Sequence, residues 1–152
     1  MSVLGIFLIE KGCCRTYLES GGREITTSFG IDLNIVCSPY SYLSQTPSTE
    51  SIQTLEDTKC YFFSYANIQI LLAEYVEFNV LVRKVYESFL LNEINLLNSI
   101  RSMSAFERYE HFMEKTPQVL QRVPLRHLAS FLGMSQETLS RMRGAGCKYK
   151  KP

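Results

Sequence analysis

The sequence predicts an α+β fold in which β-strands occupy the first half of the chain and helices the second half. Before Tyr65, runs of β-branched and aromatic residues are broken by glycine turns, which is typical of short strands. From Tyr65 onward, apolar residues recur at three- and four-residue spacing, which is the period of an α-helix. Because strands and helices are segregated rather than alternating, the sheet is expected to be antiparallel.

Short segments between turn residues define the strands. Lys11-Gly12 and Ser20-Gly21-Gly22 separate the first three strands, since glycine supplies the positive φ that a tight hairpin needs. Cys13 and Cys14 are adjacent on a predicted strand, so one side chain is expected to point inward and the other outward. Strands are predicted over residues 6–10, 13–19, 24–29, 32–36, 51–55 and 59–64, with one helical turn over residues 39–43.

A long helix is predicted over residues 77–103, after a short helix over residues 66–72. Neither glycine nor proline interrupts it, and its apolar residues lie along one broad face. A helix of roughly 25 residues is about 38 Å long, which exceeds what a small β unit covers. We expect a second copy of the helix to cover the rest, with packing against the C-terminal helices as the alternative. The predicted dimerisation residues are Phe78, Leu81, Val82, Val85, Phe89, Ile94 and Leu97.

Residues 123–143 carry the signals of two helices joined by a tight turn, following amphipathic helices over residues 105–114 and 117–122. Gly133 lies where a left-handed residue commonly ends a helix, and Ser135 is placed to cap the next one. Ala129 is small enough to let two steeply crossing helices touch. These signals predict a helix-turn-helix DNA-binding unit, with an ordinary helical hairpin as the alternative.

The second helix of this unit, over residues 135–143, is the predicted recognition helix. Arginine can donate two hydrogen bonds to guanine, glutamine can pair with adenine, and glutamate can accept from cytosine in the major groove. Glu137 also suits a helix N-terminus simply as a negative charge, and both roles can coexist. The predicted DNA-binding residues are Ser135, Gln136, Glu137, Thr138, Ser140, Arg141 and Arg143, with Thr138 and Arg143 expected at phosphates.

Charge is distributed unevenly along the chain. The formal net charge is +1, yet the residues from Arg122 onward contain seven basic residues and one acid, Glu137. A basic end on an acidic body is typical of a protein that meets a phosphate backbone. The tail Lys148-Tyr149-Lys150-Lys151 either adds phosphate contacts or remains a solvated end.

Other functional classes find little support in the residue pattern. An odd number of cysteines without a secretory signal favours reduced thiols in the cytoplasm. We found neither metal-ligand spacing nor a catalytic motif, so we expect no metal, no cofactor and no enzymatic activity. The apolar opening of the chain is too short to span a membrane. His111 and His127 are expected at helix surfaces or core edges.

The order of glycine-turned strands, long helix and helix-turn-helix resembles the Crp/Fnr family of bacterial transcription regulators. Gly133-Met134-Ser135-Gln136-Glu137-Thr138-Leu139-Ser140-Arg141 is similar to the family's recognition-helix motif, Ser-x-Glu-Thr followed three residues later by Arg. Residues 52–58 with Ser64-Tyr65 resemble the last strands of its cyclic-nucleotide-binding-like β-roll. Glu107-Arg108-Tyr109 and residues 120–124 resemble its Bacteroidetes-type branch.

This resemblance implies a domain plan and a set of base contacts. Residues 1–75 would form a truncated β-roll, which is an incomplete jelly roll. Residues 76–103 would form the dimerisation helix, and residues 104–152 the helix-turn-helix domain. Gln136, Glu137 and Arg141 fall on the family's base-contacting positions.

The sequence departs from the family pattern in three places. The family binds a cyclic nucleotide through a Gly-Glu pair and an Arg-Ser pair, whereas the matching loops here read Gly30-Ile31-Asp32 and Pro47-Ser48-Thr49-Glu50. With Glu50 in place of a phosphate-binding arginine, control by cyclic nucleotide is not expected. The roll also starts late, as a naturally trimmed domain or a gene fragment would, and the nine residues after Arg143 leave no room for the usual β wing.

The leading hypothesis is a cytoplasmic, sequence-specific regulator that binds the major groove of double-stranded DNA as a homodimer. Its β-roll would either sense an unidentified small molecule or have lost sensing. The alternative is a modulator without DNA affinity that pairs through the long helix with a full-length relative. An enzyme built on the β unit is disfavoured because no reactive group has an evident partner.

Overall fold

Six strands form two antiparallel sheets in the computed structural model, which describes residues 5–149. One sheet has the order β4-β1-β6 and the other β3-β2-β5. Every strand expected from the sequence is present, although β4 is shorter than expected. The strands are β1 (Gly5–Lys11), β2 (Cys14–Ser20), β3 (Arg23–Gly30), β4 (Ile35–Val36), β5 (Glu50–Thr54) and β6 (Lys59–Ser64).

The hairpin between β2 and β3 follows from its two glycines. Gly21 and Gly22 have φ values of 58° and 74°, and Ser20 pairs with Arg23 on either side of them. Two consecutive residues with positive φ form the turn that matches the natural twist of paired strands. The glycines therefore set the register that carries the buried side chains of β2 into the centre of its sheet.

Seven helices occur in the described part of the chain. They are α1 (Pro39–Ser44), α2 (Tyr65–Glu74), α3 (Val76–Ser102), α4 (Ala105–Lys115), α5 (Pro117–Arg122), α6 (Leu125–Phe131) and α7 (Gln136–Tyr149). The 27 residues of α3 make it about 40 Å long. A capping box between Ser104 and Glu107 starts α4. The long uninterrupted helix expected from the sequence is confirmed.

The last helix runs further than expected. The sequence indicated an end near Arg143, but α7 continues through Gly144 to Tyr149. A glycine inside a helix costs only about 1 kcal/mol relative to alanine, so glycine alone does not end it. Lys148 and Tyr149 of the predicted basic tail thus belong to α7, while Lys150 and Lys151 lie outside the described residues.

One hydrophobic core joins the sheet to the C-terminal helices. Cys13 and the buried residues Leu128, Ala129 and Leu139 share one cluster. Phe29 of β3 extends it, with its ring centroid 5.3 Å from that of Phe131 and 6.4 Å from that of Phe112, while the latter two rings lie 5.4 Å apart. The helices of the C-terminal unit therefore pack directly on the outer face of the sheet.

This packing corrects the expectation for the cysteine pair. Cys13 and Cys14 were expected to point one inward and one outward, yet both are buried. Cys14 packs with Ile9 and Val36 between the sheets, whereas Cys13 packs with the C-terminal helices. The side chains do alternate, but both faces of β2 are covered.

Polar contacts reinforce the same junction. The Ser130 hydroxyl of α6 accepts a hydrogen bond from the Thr26 backbone N–H at 3.0 Å and donates to the Glu24 carbonyl at 3.2 Å. At the end of α5, Arg122 donates to both carboxylate oxygens of Asp32, at 2.9 and 3.1 Å, and also pairs with Glu56. A guanidinium held by two carboxylates fixes α5 against the loops of the β unit.

Candidate nucleic-acid interface

The turn between α6 and α7 has the geometry that its glycine predicts. Gly133 has φ of 67°, a left-handed conformation that favours glycine. Its N–H donates to the Ser130 carbonyl at 3.2 Å, and the Met134 N–H donates to the Ala129 carbonyl at 3.0 Å. This pair of hydrogen bonds is the Schellman arrangement that ends a helix and redirects the chain. The expected change of direction at Gly133 is confirmed.

Ser135 caps the helix that follows. Its hydroxyl accepts a hydrogen bond from the Thr138 backbone N–H at 3.1 Å, and its carbonyl accepts from the Leu139 N–H at 3.1 Å. The pKa of Glu137 is lowered, first by its own backbone N–H, then by a hydrogen bond from Ser135, with a smaller effect of Arg141. Glu137 therefore remains an anion at the helix N-terminus, where its charge is favourable.

The exposed side of α7 contains most of the predicted DNA contacts. Leu139 is fully buried and Met142 is half-buried, so both hold the helix against its own subunit. Thr138 is half-buried beside the Ser135 cap. Exposed side chains are those of Ser135, Gln136, Glu137, Ser140, Arg141 and Arg143. Four of these six, Gln136, Glu137, Ser140 and Arg141, line one shallow groove together with Leu125 of α6.

The positive charges divide into two groups that the sequence did not distinguish. Arg122 was counted with the phosphate-facing cations, but it is held by Asp32 and Glu56 of the same chain. Arg126, which is not among the DNA contacts predicted from the sequence, is exposed on α6, and its Nε donates to His127 Nε2 at 3.2 Å. Exposed positive charge on these two helices is supplied by Arg126 on α6 and by Arg141 and Arg143 on α7, of which Arg141 lines the groove.

His127 lies deeper than expected from the sequence. It is buried on the face of α6 that meets the sheet. Burial lowers the pKa of His127, and the nearby charges of Arg15 and Arg126 lower it further. Arg15 is itself buried and pairs with Glu24 across β2 and β3, while donating to Gln53 at 2.8 Å. The imidazole is therefore held neutral between the two layers.

The long helix α3 exposes much of its apolar surface. Ser99 is its one buried residue among those described, and Phe78, Val82 and Val85 are half-buried against their own subunit. Of the other predicted dimerisation residues, Leu81, Phe89, Ile94 and Leu97 are exposed. Leu90 and Leu91 are exposed as well and were not in the predicted set. A row of exposed large apolar side chains along one helix is typical of an interaction surface.

The inner side of the β unit carries acidic rather than basic groups near β5. Glu50 accepts a hydrogen bond from the Thr27 hydroxyl at 2.8 Å, and Thr27 in turn bonds to Thr16 at 2.7 Å. The pKa of Glu93 on α3 is raised, first by burial and then by the charge of Glu50. Two neighbouring carboxylates disfavour an anionic ligand at this place.

Other kinds of site were sought among the described residues. Within residues 5–149, no group of His, Cys, Asp and Glu is arranged to hold a metal ion. Burial raises the pKa of Cys14 and of Cys37 to about 11, which keeps both thiols protonated and unreactive at neutral pH. Over the same residues, every helix is too short or too polar to cross a lipid bilayer.

Comparison with solved structures finds the same fold in several proteins. The chain superimposes on FixK2 from Bradyrhizobium japonicum with a TM-score of 0.82 and 17% identity, covering 95% of this chain and 75% of that one. For a CooA mutant from Carboxydothermus hydrogenoformans the TM-score is 0.72, with 22% identity and coverage of 95% and 67%. For a protein from Eubacterium rectale described as a Crp/Fnr-family regulator it is 0.69, with 19% identity and coverage of 97% and 72%.

These similarities define the class of fold. The α+β architecture, with antiparallel sheets followed by helices, is shared with these structures, one of which is described as a Crp/Fnr-family regulator. No protein-family profile matches the sequence. No curated protein matches it either. The likeness therefore resides in the arrangement of the backbone, and the function has to be argued from the side chains.

Proposed function

We propose that this chain is a sequence-specific DNA-binding transcription regulator of the Crp/Fnr type, acting as a dimer through α3. The observation that carries the proposal is the exposed row of Gln136, Glu137, Ser140 and Arg141 on α7, directly after a capped turn. These residue types read base edges in the major groove. Arg126 on α6 and Arg143 on α7 are exposed as well and suit phosphate contacts.

The dimer is part of the proposal because operators of such proteins have two half-sites. The exposed apolar side chains Leu90, Leu91, Ile94 and Leu97 support pairing of α3 with a second copy. A symmetric dimer would read half-sites about one DNA turn apart. Assignment to the Bacteroidetes-type branch rests on the sequence motifs alone.

The proposed regulator does not respond to cyclic nucleotide. Glu50 lies in the loop that resembles the family's phosphate-binding loop, and its charge helps to raise the pKa of the nearby Glu93, so a further anion is disfavoured there. Asp32, in the other ligand loop, is bonded to the Gly12 N–H at 2.7 Å and to Arg122. Both loops thus serve the internal structure of the chain. Isothermal titration with cyclic AMP and cyclic GMP is expected to give no saturable heat.

Binding-site selection from random double-stranded DNA tests the main proposal. We expect a two-fold symmetric motif whose affinity falls steeply with salt. Replacing Arg141 by alanine is expected to cost roughly 1–3 kcal/mol and to relax the preference at one base position. Lys59→Ala is the control for loss of an exposed positive charge, because Lys59 lies on β6, away from the proposed dimer helix and α7, and pairs with Glu10 at 2.9 Å. A selection without an enriched motif, or equal losses for both variants, contradicts the proposal.

Binding-site selection also tests the alternative hypothesis from the sequence, a modulator without DNA affinity. A modulator that pairs with a full-length relative would form heterodimers and show no DNA affinity of its own. Lys150 lies outside the described part of the chain. Lys150→Ala is expected to lower the affinity for all DNA sequences alike.

A further inference from the structure

A cleft lies where the C-terminal half of α3 meets α4 and the end of α6. It has a volume of about 160 Å³ and is partly open to solvent, and it is separate from the exposed groove on α7. Engineered apolar cavities of roughly 150 Å³ hold a single benzene molecule. The cleft is therefore large enough for a ligand built on one aromatic ring.

The walls of the cleft combine an apolar floor with a basic side. Phe112 and Phe131 supply aromatic surface. Arg108, His111 and Lys115 all come from α4, at spacings that place them on one side of that helix. Among the described residues that line the cleft, none is acidic. An apolar ring that carries a negative charge is the ligand chemistry that such walls complement.

Arg108 connects this cleft to the turn before α7. Its Nε donates to the Leu132 carbonyl at 3.1 Å, and its Nη1 donates to the Met103 carbonyl at 2.8 Å. One guanidinium thus ties the end of α3 to the end of α6. A ligand carboxylate next to Arg108 would therefore contact the residue that joins these two helix ends.

The cleft and the exposed apolar stripe both involve the C-terminal half of α3. Leu96 and Ser99 line the cleft, whereas Ile94 and Leu97 belong to the exposed apolar stripe. Residues two positions apart in a helix point about 200° apart around its axis. Leu96 and Ser99 therefore face nearly away from Ile94 and Leu97, whereas Ile100 both lines the cleft and is exposed.

We propose that the cleft between α3, α4 and α6 binds a small aromatic carboxylate, held by Phe112 and Phe131 beneath the ring and by Arg108 and Lys115 at the carboxylate. The ligand would act on the proposed regulator from outside the β-roll. The binding step itself requires neither DNA nor a dimer, so it can be measured separately from the proposed function.

Isothermal titration with sodium benzoate tests the site on the full chain, with neutral benzamide as the matched compound. Benzoate is expected to bind saturably and at least about tenfold more tightly than benzamide, because only its carboxylate forms charge-assisted hydrogen bonds. Lys115→Gln is expected to weaken benzoate binding about fivefold or more. Lys84→Gln, on the exposed surface of α3 outside the cleft, is expected to leave it unchanged.

Ser99→Leu fills the cleft and serves as a second test. The Ser99 hydroxyl donates to the Leu96 carbonyl of its own helix at 2.7 Å, so leucine removes no contact between elements. This variant is expected to keep its melting temperature and lose benzoate binding. The proposal is overturned by an absence of saturable binding, by equal affinity for benzoate and benzamide, or by undiminished benzoate binding in a folded Ser99→Leu protein.

Discussion

Truncation of Leu90 to alanine measures how much of the exposed stripe on α3 a partner covers. Leu90 is 61% exposed in the single chain. A fully buried leucine contributes about 2 kcal/mol, so covering the exposed part yields about 1.2 kcal/mol. Alanine keeps one of the four side-chain carbons, and each dimer contains two copies. The expected loss is about 2 kcal/mol per dimer, or about a 30-fold higher dissociation constant.

Sedimentation equilibrium over a range of protein concentrations gives this dissociation constant directly. Leu43→Ala is the matched control, because Leu43 is 64% exposed but lies on α1 rather than on the long helix. It is expected to leave the monomer–dimer equilibrium unchanged. A wild-type chain that stays monomeric at every concentration, or a Leu43 variant that dissociates as readily as the Leu90 variant, would refute the reasoning.

Three further predictions concern the junction and the turn. Gly133→Ala is expected to lower the free energy of unfolding by about 1–2 kcal/mol, because alanine is strained in the left-handed backbone conformation. Gly133→Asn is expected to lower it by less, since asparagine adopts this conformation more readily. Equal urea midpoints for the two variants would contradict this prediction. Ser135→Ala leaves the Thr138 N–H without its cap and is expected to cost about 1 kcal/mol, whereas Ser140→Ala serves as the neutral control in the same urea titrations. Burial lowers the pKa of His127 in the folded protein, so as the pH falls the imidazole is protonated in the unfolded chain before it is protonated in the folded one. The free energy of unfolding is therefore expected to decrease as the pH falls below about 6.5. His127→Gln is expected to flatten this dependence, and an unchanged slope of unfolding free energy against pH would rule out the assignment.

Local signals in the sequence predicted the turn region well. The left-handed glycine, the capping serine and the inward Leu139 all act within a few residues, so Gly133 and Ser135 could be assigned from spacing alone. Strand and helix boundaries followed from periodicity in the same way. The exceptions are β4, which is shorter than predicted, and α7, which continues beyond the predicted end at Arg143.

Contacts between distant parts of the chain could not be predicted. Arg122 looked like a phosphate ligand because its partners, Asp32 and Glu56, lie far away in sequence. For the same reason, burial of Cys13 and His127 required knowledge that the C-terminal helices pack on the sheet. A count of basic residues therefore overestimated the positive charge that is free at the surface, because it included Arg122, which is paired with acids, together with Arg126, which does face solvent.

The contact of Ser130 with β3 affects the tendency of the protein to aggregate. β3 ends one side of its sheet, and an open strand margin of this kind can recruit strands from other molecules. The Ser130 hydroxyl is hydrogen-bonded to the Thr26 N–H and the Glu24 carbonyl, the backbone groups with which a strand from another molecule would pair. Any condition that separates α6 from the sheet thus also exposes the unpaired backbone groups of edge strand β3. The position of α6 is therefore coupled to the tendency of the protein to aggregate.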